Sequence, residues 1–250
     1  FAALGLSDRA HARLVDLDLS AVRSATGVVD LLLAADIPGN NNCGPIVADE
    51  PILAGSLVQY IGQPIFAVLA DTYESARFAA RLATISYADL PAELSPCSAR
   101  AKDSFVLPPM RRVRGDPENA IASAPNRITG SMQCGGQEHF YLEGQVSYAV
   151  PEEGGGIRVH CSTQHPSEMQ HLIAHALAVP ANLVRIEVRR MGGGFGGKES
   201  QSALVACVAA VAARKLGRPV KLRLDRDDDF MITGKRHDFH YHYHAGFDDH

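Results

Sequence analysis

The sequence predicts an α+β protein built in two parts, and three observations predict it. Short runs in which apolar residues alternate with charged ones recur along the chain, separated by turn residues, the pattern of half-buried strands. Residues 72–85, 166–179 and 201–215 instead space their apolar side chains at helical intervals. A polar, proline-containing stretch at 95–125 divides the strand-rich parts and reads as a linker. The domain boundary is expected near Asp103, giving parts 1–103 and 104–250.

The elements follow in order. FAALGLSD and ARLVDLDLS read as two strands, with Leu14, Val15, Leu17 and Leu19 largely alternating with charges. GVVDLLLAADIPG reads as a buried strand stopped at Pro38 and Gly39, and NNNCGP as a loop. LVQYIGQPIFAVLAD gives two strands around Gly62, Gln63 and Pro64. TYESARFAARLATI is expected to be a helix, capped by Thr72 and carrying Glu74 in its first turn. Its core face would be Ala76, Phe78, Ala79 and Leu82. ISYADLPAEL returns as a strand, and Asp116 to Ala124 forms a short helix inside the linker.

Beyond Arg127, RITGSMQCGG is a strand, and GQVSYAVPEEGGGIRVHCS is a hairpin turning at EEGGG. PSEMQHLIAHALAV is a helix with Pro166 near its first position and Met169, Leu172, Ile173 and Ala176 on one side. The strand VRIEVRR runs into MGGGFGGKE, and QSALVACVAAVAARK then forms a long buried helix that Gly217 and Pro219 stop. VKLRLDR and RHDFHYHYHAGF are strands, with DRDDD between them read as a solvated turn.

Composition narrows the function classes. The 250 residues are 46% hydrophobic and 21% charged, which excludes disordered, collagen-like and coiled-coil chains. A net charge of −4 argues against nucleic acid as the main partner. The longest apolar run, Ala203 to Ala213, is too short to span a bilayer, and no membrane partner is expected. Five cysteines with no CxxC pair and no framework spacing suit a reducing, cytoplasmic setting. Phe1 in place of Met and the ending GFDDH read as the cut ends of a longer chain.

Four segments could carry chemistry. Met191 to Glu199 places five glycines around Phe195 between a strand and a helix. Glycine lets backbone N–H groups approach a ligand, and the following helix start favours an anion, so the loop suits a phosphate or an oxyanion-bearing cofactor. It also reads as a plain glycine turn with a buried Phe plug, and its spacing is neither that of a Walker loop nor of a dinucleotide fingerprint. Gly135 to Glu143 gathers Gln137, two carboxylates and His139; a carboxamide suits a ligand carrying oxo groups, and a polar strand end is the alternative. Cys161, at a strand end, reads as a structural thiol rather than a nucleophile. His240, His242 and His244 share a strand face and His171 and His175 a helix face, but HLIAH lacks the Glu of HExxH, so polar surface positions are favoured over a metal site.

Taken in order, GGQEHFYLEGQ, CSTQHPSEMQ, RMGGGFGGKES and DRDDDFMITGKRHDF resemble the molybdenum hydroxylases, and among them the molybdenum-binding subunits of the xanthine dehydrogenase branch. The resemblance covers nearly the whole chain. It implies a small α/β hammerhead domain at 1–103, followed from 104 to 250 by the first part of a molybdopterin cofactor-binding domain.

It also implies roles. Gln137 matches the family glutamine that hydrogen-bonds an oxo ligand of the molybdenum, and Gly194 and Phe195 match the loop beside the metal's apical side. Glu199 matches a carboxylate that orients and protonates purines and that aldehyde-oxidising relatives usually lack, which tilts the reading toward xanthine or hypoxanthine. GGFGGKE, with no copper-binding loop nearby, argues against the carbon monoxide branch. The implied reaction hydroxylates an electron-poor ring carbon with oxygen from water and passes electrons through iron–sulfur and FAD groups to NAD. The motifs look like the split bacterial arrangement, in which a partner subunit holds the 2Fe–2S and FAD groups; a hetero-oligomer is expected. The family's general base and a purine-stabilising arginine match no position here, so the chain alone is expected to be inactive. A related aldehyde or N-heterocycle hydroxylase, and a scaffold that has lost activity, are the alternatives.

Overall fold

The computed structural model describes residues 1–249. Its strands in chain order are β1 (Ala2–Leu6), β2 (Ala12–Asp18), β3 (Val28–Leu33), β4 (Leu57–Val58), β5 (Pro64–Ala70), β6 (Thr84–Asp89), β7 (Asn126–Cys134), β8 (Val146–Pro151), β9 (Ile157–Cys161), β10 (Val184–Glu187), β11 (Val220–Arg223) and β12 (Phe239–Phe247). The helices are α1 (Ser20–Ser24), α2 (Tyr73–Ala80), α3 (Pro96–Ala101), α4 (Pro117–Ser123), α5 (Pro166–Leu177), α6 (Ser202–Leu216) and α7 (Arg226–Ile232). They form two compact units, one of Phe1–Pro91 with His139–Gly234, the other of Ala92–Glu138 with the chain from Lys235 onward.

The first unit is organised by a seven-stranded mixed sheet in the order β10-β9-β8-β11-β1-β5-β3. β5, PIFAVLA, is buried along its whole length because both of its faces are covered. Ala67 and Leu69 join the core built on α5 and α6. Phe66 and Val68 join a second core with Val22 of α1 and Ala79 of α2. A three-stranded sheet, β4-β2-β6, lines that second core. β2 slips register between Leu14 and Asp16, which turns Val15 outward and explains why its alternation is imperfect. One pairing was not legible in the sequence: Ala2 of β1 lies parallel to Leu222 of β11, so the first strand joins the sheet beside one of the last.

α6 is buried from Ser202 to Ala213, and its alanines let the sheet approach closely. It ends at Gly217, whose φ of +62° is the left-handed conformation glycine accepts at a helix C-terminus. α2 starts as expected, with the Thr72 hydroxyl accepting the Ser75 N–H at 3.0 Å. It stops at Ala80, earlier than the expected 85, because Thr84–Asp89 is taken by β6. Phe78 is 64% exposed and is not on the core face. The strand expected to run to Pro38 ends at Leu33 and gives way to a single 3-10 turn, Ala34–Asp36. DRDDD is no solvated turn: Asp225 caps α7 through the Asp228 N–H at 2.8 Å, and Asp229 is 1% exposed.

The second unit is built on an antiparallel ribbon of β7 and β12, paired from Cys134↔Phe239 to Asn126↔Phe247. Every residue of β12 is exposed, so the backbone ladder carries this element. Within the same unit, α4 lies inside the short helix expected at Asp116–Ala124 and is capped by the Asp116 side chain, and α3 is a helix that the loop-like composition concealed. Among the described residues, no helix is long and apolar enough to cross a membrane. Among the described residues, no group of three or more His, Cys, Asp or Glu is placed to hold a metal ion.

Candidate functional site

The glycine loop lies in the first unit, between β10 and α6. Its backbone is left-handed at Gly193 (φ +97°), Phe195 (φ +54°) and Gly196 (φ +86°). Glycine adopts this region freely, but a phenylalanine pays for it, so surrounding contacts must impose it. The Phe195 ring is no buried plug; the residue is 75% exposed. The Gly197 N–H closes the turn on the Gly194 carbonyl at 2.8 Å.

A buried polar floor holds the loop. Lys198 is completely buried, a placement lysine tolerates only when paired. Its ammonium donates to the Glu143 carbonyl at 2.6 Å, to the Ser162 hydroxyl at 2.8 Å and to the Glu143 carboxylate at 3.2 Å. The same carboxylate accepts the Gly192 N–H at 2.8 Å and the Ser162 hydroxyl at 2.7 Å. Burial pushes the Glu143 carboxyl up, but the donated bonds and the Lys198 charge outweigh it and hold the carboxyl below its usual range. Burial lowers Lys198, and Glu143 offsets only part of that. The ammonium also lies 4.7 Å from the centroid of the Tyr141 ring. Tyr141 donates its hydroxyl to Asp229 at 2.7 Å, and the Gln145 side chain donates to the Gly197 carbonyl at 3.1 Å. Burial, then the neighbouring Asp229, push the Tyr141 phenol up.

Three glycines of the loop leave no room for a Cβ, which on Gly192 would sit 2.6 Å from the Glu143 Cβ. A Cβ on Gly197 would sit 2.7 Å from the His139 and Tyr141 rings, and one on Gly194 would sit 2.6 Å from the Gln164 side-chain oxygen. That oxygen accepts the Gly196 N–H at 3.0 Å and the Lys198 N–H at 3.2 Å. By contrast, the N–H groups of Gly193, Gly194 and Phe195 have no acceptor among the described residues. Glu199 follows the turn, exposed, and makes no ion pair or hydrogen bond with the described residues.

The structure therefore brings Gly194, Phe195 and Glu199 together on one loop. Gln137 belongs to the second unit. Its backbone is fixed there by reciprocal bonds with Arg236, at 2.9 and 3.0 Å, and its side chain is exposed. The Arg236 guanidinium reaches the Gly135 carbonyl at 2.8 Å. Cys161 is buried, with its thiol pushed up to about 11 by that burial, which fits a structural thiol. Sequence reasoning missed Lys198, Gln164, Asp229 and Arg236. A lysine directly before an apolar helix was the one local signal for Lys198, but its partner lies 55 positions away.

A family profile described as a molybdopterin cofactor-binding domain matches residues 101–250. A second, the a/b hammerhead domain of aldehyde oxidase and xanthine dehydrogenase, matches residues 1–91. The chain belongs to the aldehyde oxidase and xanthine dehydrogenase family of molybdenum hydroxylases. Within this family it is 47% identical to Xanthine dehydrogenase 2 of Arabidopsis thaliana over 98% of its own length, and 44% identical to the xanthine dehydrogenase/oxidase of Felis catus over 96%. It spans 18% of the length of each of these relatives. Among solved structures, quinoline 2-oxidoreductase from Pseudomonas putida matches 99% of this chain and 34% of its own, with a TM-score of 0.88 and 25% identity. The aldehyde oxidoreductase of Desulfovibrio gigas matches 95% of this chain and 28% of its own, with a TM-score of 0.83 and 28% identity.

The residues present fit the family's cofactor. A molybdenum–pterin group presents oxygen acceptors, and the unengaged N–H groups of Gly193, Gly194 and Phe195 are donors on a loop held in place by the ion pair of the buried Lys198 with the partly exposed Glu143.

Proposed function

We propose that this chain supplies part of the molybdenum-cofactor site of a purine hydroxylase acting on xanthine or hypoxanthine. When bound, the cofactor supplies oxygen-transfer and two-electron redox chemistry. The chain's own residues bind and orient. The Gln137 carboxamide and the backbone of Gly194 and Phe195 would hold the cofactor, and Glu199 would orient the purine and protonate a ring heteroatom as negative charge develops. One observation carries the purine assignment: Glu199 is a carboxylate that no other described residue engages, on the turn that leaves the glycine loop. The change of family match between residues 91 and 101 supports a domain boundary near Asp103.

Electrons would leave through 2Fe–2S and FAD groups on a partner subunit to NAD, making the assembly a hetero-oligomer. The cysteines support placing those clusters elsewhere, since Cys43, Cys161 and Cys207 are buried. Their free thiols also support a reducing cytoplasm. An aldehyde or N-heterocycle hydroxylase is the second reading, favoured by the structural likeness to the aldehyde and quinoline enzymes.

Elemental analysis of the native assembly should find near-stoichiometric molybdenum, and xanthine should reduce it. Glu199→Ala should slow xanthine turnover at least tenfold while molybdenum content stays within about twofold of wild type. Equal loss of both would remove Glu199 from the substrate side, and faster turnover of an aldehyde than of xanthine would favour the second reading.

A further inference from the structure

Asp229 lies outside the residues the resemblance assigns, on α7 rather than on the glycine loop. It is 1% exposed, and its carboxylate is met by donors. The Tyr141 hydroxyl donates to one oxygen at 2.7 Å and the Gln145 N–H to the other at 2.6 Å. The Thr233 hydroxyl makes a longer contact at 3.5 Å. A Cβ on Gly144 would sit 2.8 Å from the same carboxylate, so the glycine before Gln145 is what lets the acid reach that N–H.

These contacts fix the direction of the hydrogen bonds beyond them. An ionised carboxylate can only accept, so the phenol must direct its hydrogen at Asp229. The phenol oxygen is then free to accept, and the Gln145 carboxamide turns its NH2 to it at 3.1 Å. The same NH2 donates to the Gly197 carbonyl, also at 3.1 Å. The relay from Asp229 through Tyr141 and Gln145 therefore ends on the backbone of the glycine loop. Tyr141 and Gln145 are buried as well, so no member of the relay can exchange its partner for water. The Tyr141 ring that the relay orients also walls the loop: a Cβ on Gly193 would lie 3.3 Å from it, and one on Gly197 2.7 Å.

We propose that Asp229 is a positioning residue of this site. Its carboxylate sets the hydrogen-bond direction that holds Gly197, and with it the turn carrying Gly194 and Phe195. It acts through Tyr141 and Gln145 and touches neither cofactor nor substrate. Its effect on turnover rests on the hydroxylase reading above; its effect on the loop does not.

Asp229→Asn keeps the shape of the side chain and adds a donor. The new NH2 faces either the phenol hydrogen or the Gln145 N–H, both of which donate. The phenol can yield only by turning its hydrogen toward the Gln145 NH2, which then withdraws from Gly197. In the complete assembly, hydrogen–deuterium exchange of the peptide covering 191–198 should rise roughly tenfold or more in Asp229→Asn, with exchange in α5 unchanged. In a Tyr141→Phe background no phenol hydrogen has to be placed, and adding Asp229→Asn should raise loop exchange by no more than about twofold. Equal increments in the two backgrounds would mean that Asp229 only fills space, and would overturn the proposal. Should Asp229→Asn fail to assemble, Gln145→Met cuts the relay at its last donor and leaves Asp229 in place. Loop exchange should again rise, and a wild-type rate there would overturn the relay.

Turnover supplies the second readout. In Asp229→Asn the kcat for xanthine, per bound molybdenum, should fall roughly tenfold while KM moves less, because a displaced loop misorients what it holds. Wild-type kcat alongside raised loop exchange would overturn the positioning role. A wild-type assembly without molybdenum would overturn the hydroxylase reading instead, and the exchange measurements alone would then decide the relay.

Discussion

The floor under the glycine loop and the β7–β12 ribbon are both rich in polar side chains, and they are held in opposite ways. Beneath the loop, Lys198, Glu143, Ser162, Tyr141, Asp229 and Gln145 are tied side chain to side chain or to backbone, several of them out of water. Along β12, His240, Tyr241, His242, Tyr243 and His244 are all exposed, and the backbone ladder sets the strand's position, with only surface contacts such as Thr129–His244 and the Phe239–Tyr241 stack added to it. Burial is what makes a polar group positional. A buried donor that loses its partner pays the full desolvation cost, whereas an exposed one exchanges it for water. The loop carrying Gly194 and Phe195 rests on the first kind of support, and the ribbon next to Gln137 on the second.

Changing the floor should therefore have the largest effect. Lys198→Met keeps much of the volume and removes the charge, leaving the Ser162 hydroxyl and Glu143 carbonyl without their donor and the partly exposed Glu143 carboxylate without its counter-ion; a loss of about 2 kcal/mol is expected from the shift in denaturant midpoint. A loss below about 1 kcal/mol would mean the pair does not hold the loop. Thiol chemistry sharpens the same contrast. Cys43, Cys161 and Cys207 lie buried in the first unit, with burial pushing Cys43 up to about 12, while Cys97 and Cys134 lie in the second and are more accessible. Native titration with a disulfide reagent should find two fast thiols and three slower by roughly a hundredfold.

A smaller effect follows from Glu143. Its folded-state value is depressed, so its contribution is present above the unfolded value of about 4.5 and is lost as pH falls through the depressed one. Acid unfolding of Glu143→Gln should be flatter over that window than that of the wild type; parallel curves would count against the assignment. The smallest effect belongs to the ribbon. Tyr241→Ala removes a side chain stacked on Phe239 at 5.6 Å and should cost at most about 1 kcal/mol by the same denaturant measurement.

Local chemistry was legible in the sequence, and distant pairing was not. Thr72, Pro166 and Gly217 announced helix ends because caps act through neighbouring backbone. The same spacing misplaced Phe78, since a short helix beside a new strand leaves little length to define a face. DRDDD read as solvated because a run of carboxylates is usually wet. The Tyr141 hydroxyl that makes a buried Asp229 tolerable lies 88 positions away. The glycine loop and Glu199 were found by their motif, whereas Gln164 was not, because its task is defined by two N–H groups that only the folded loop brings to it.

The parallel pairing of Ala2 with Leu222 has a consequence in time. A ribosome adds about 5–20 residues per second, so β1 emerges roughly ten to forty seconds before the strand that will lie beside it. In that interval β5 can cover one edge of β1, while the other stays open to any passing strand. That edge gains its β11 partner only once the residues around 222 have been made, and the sheet that supports the glycine loop is completed only near the end of this stretch of synthesis.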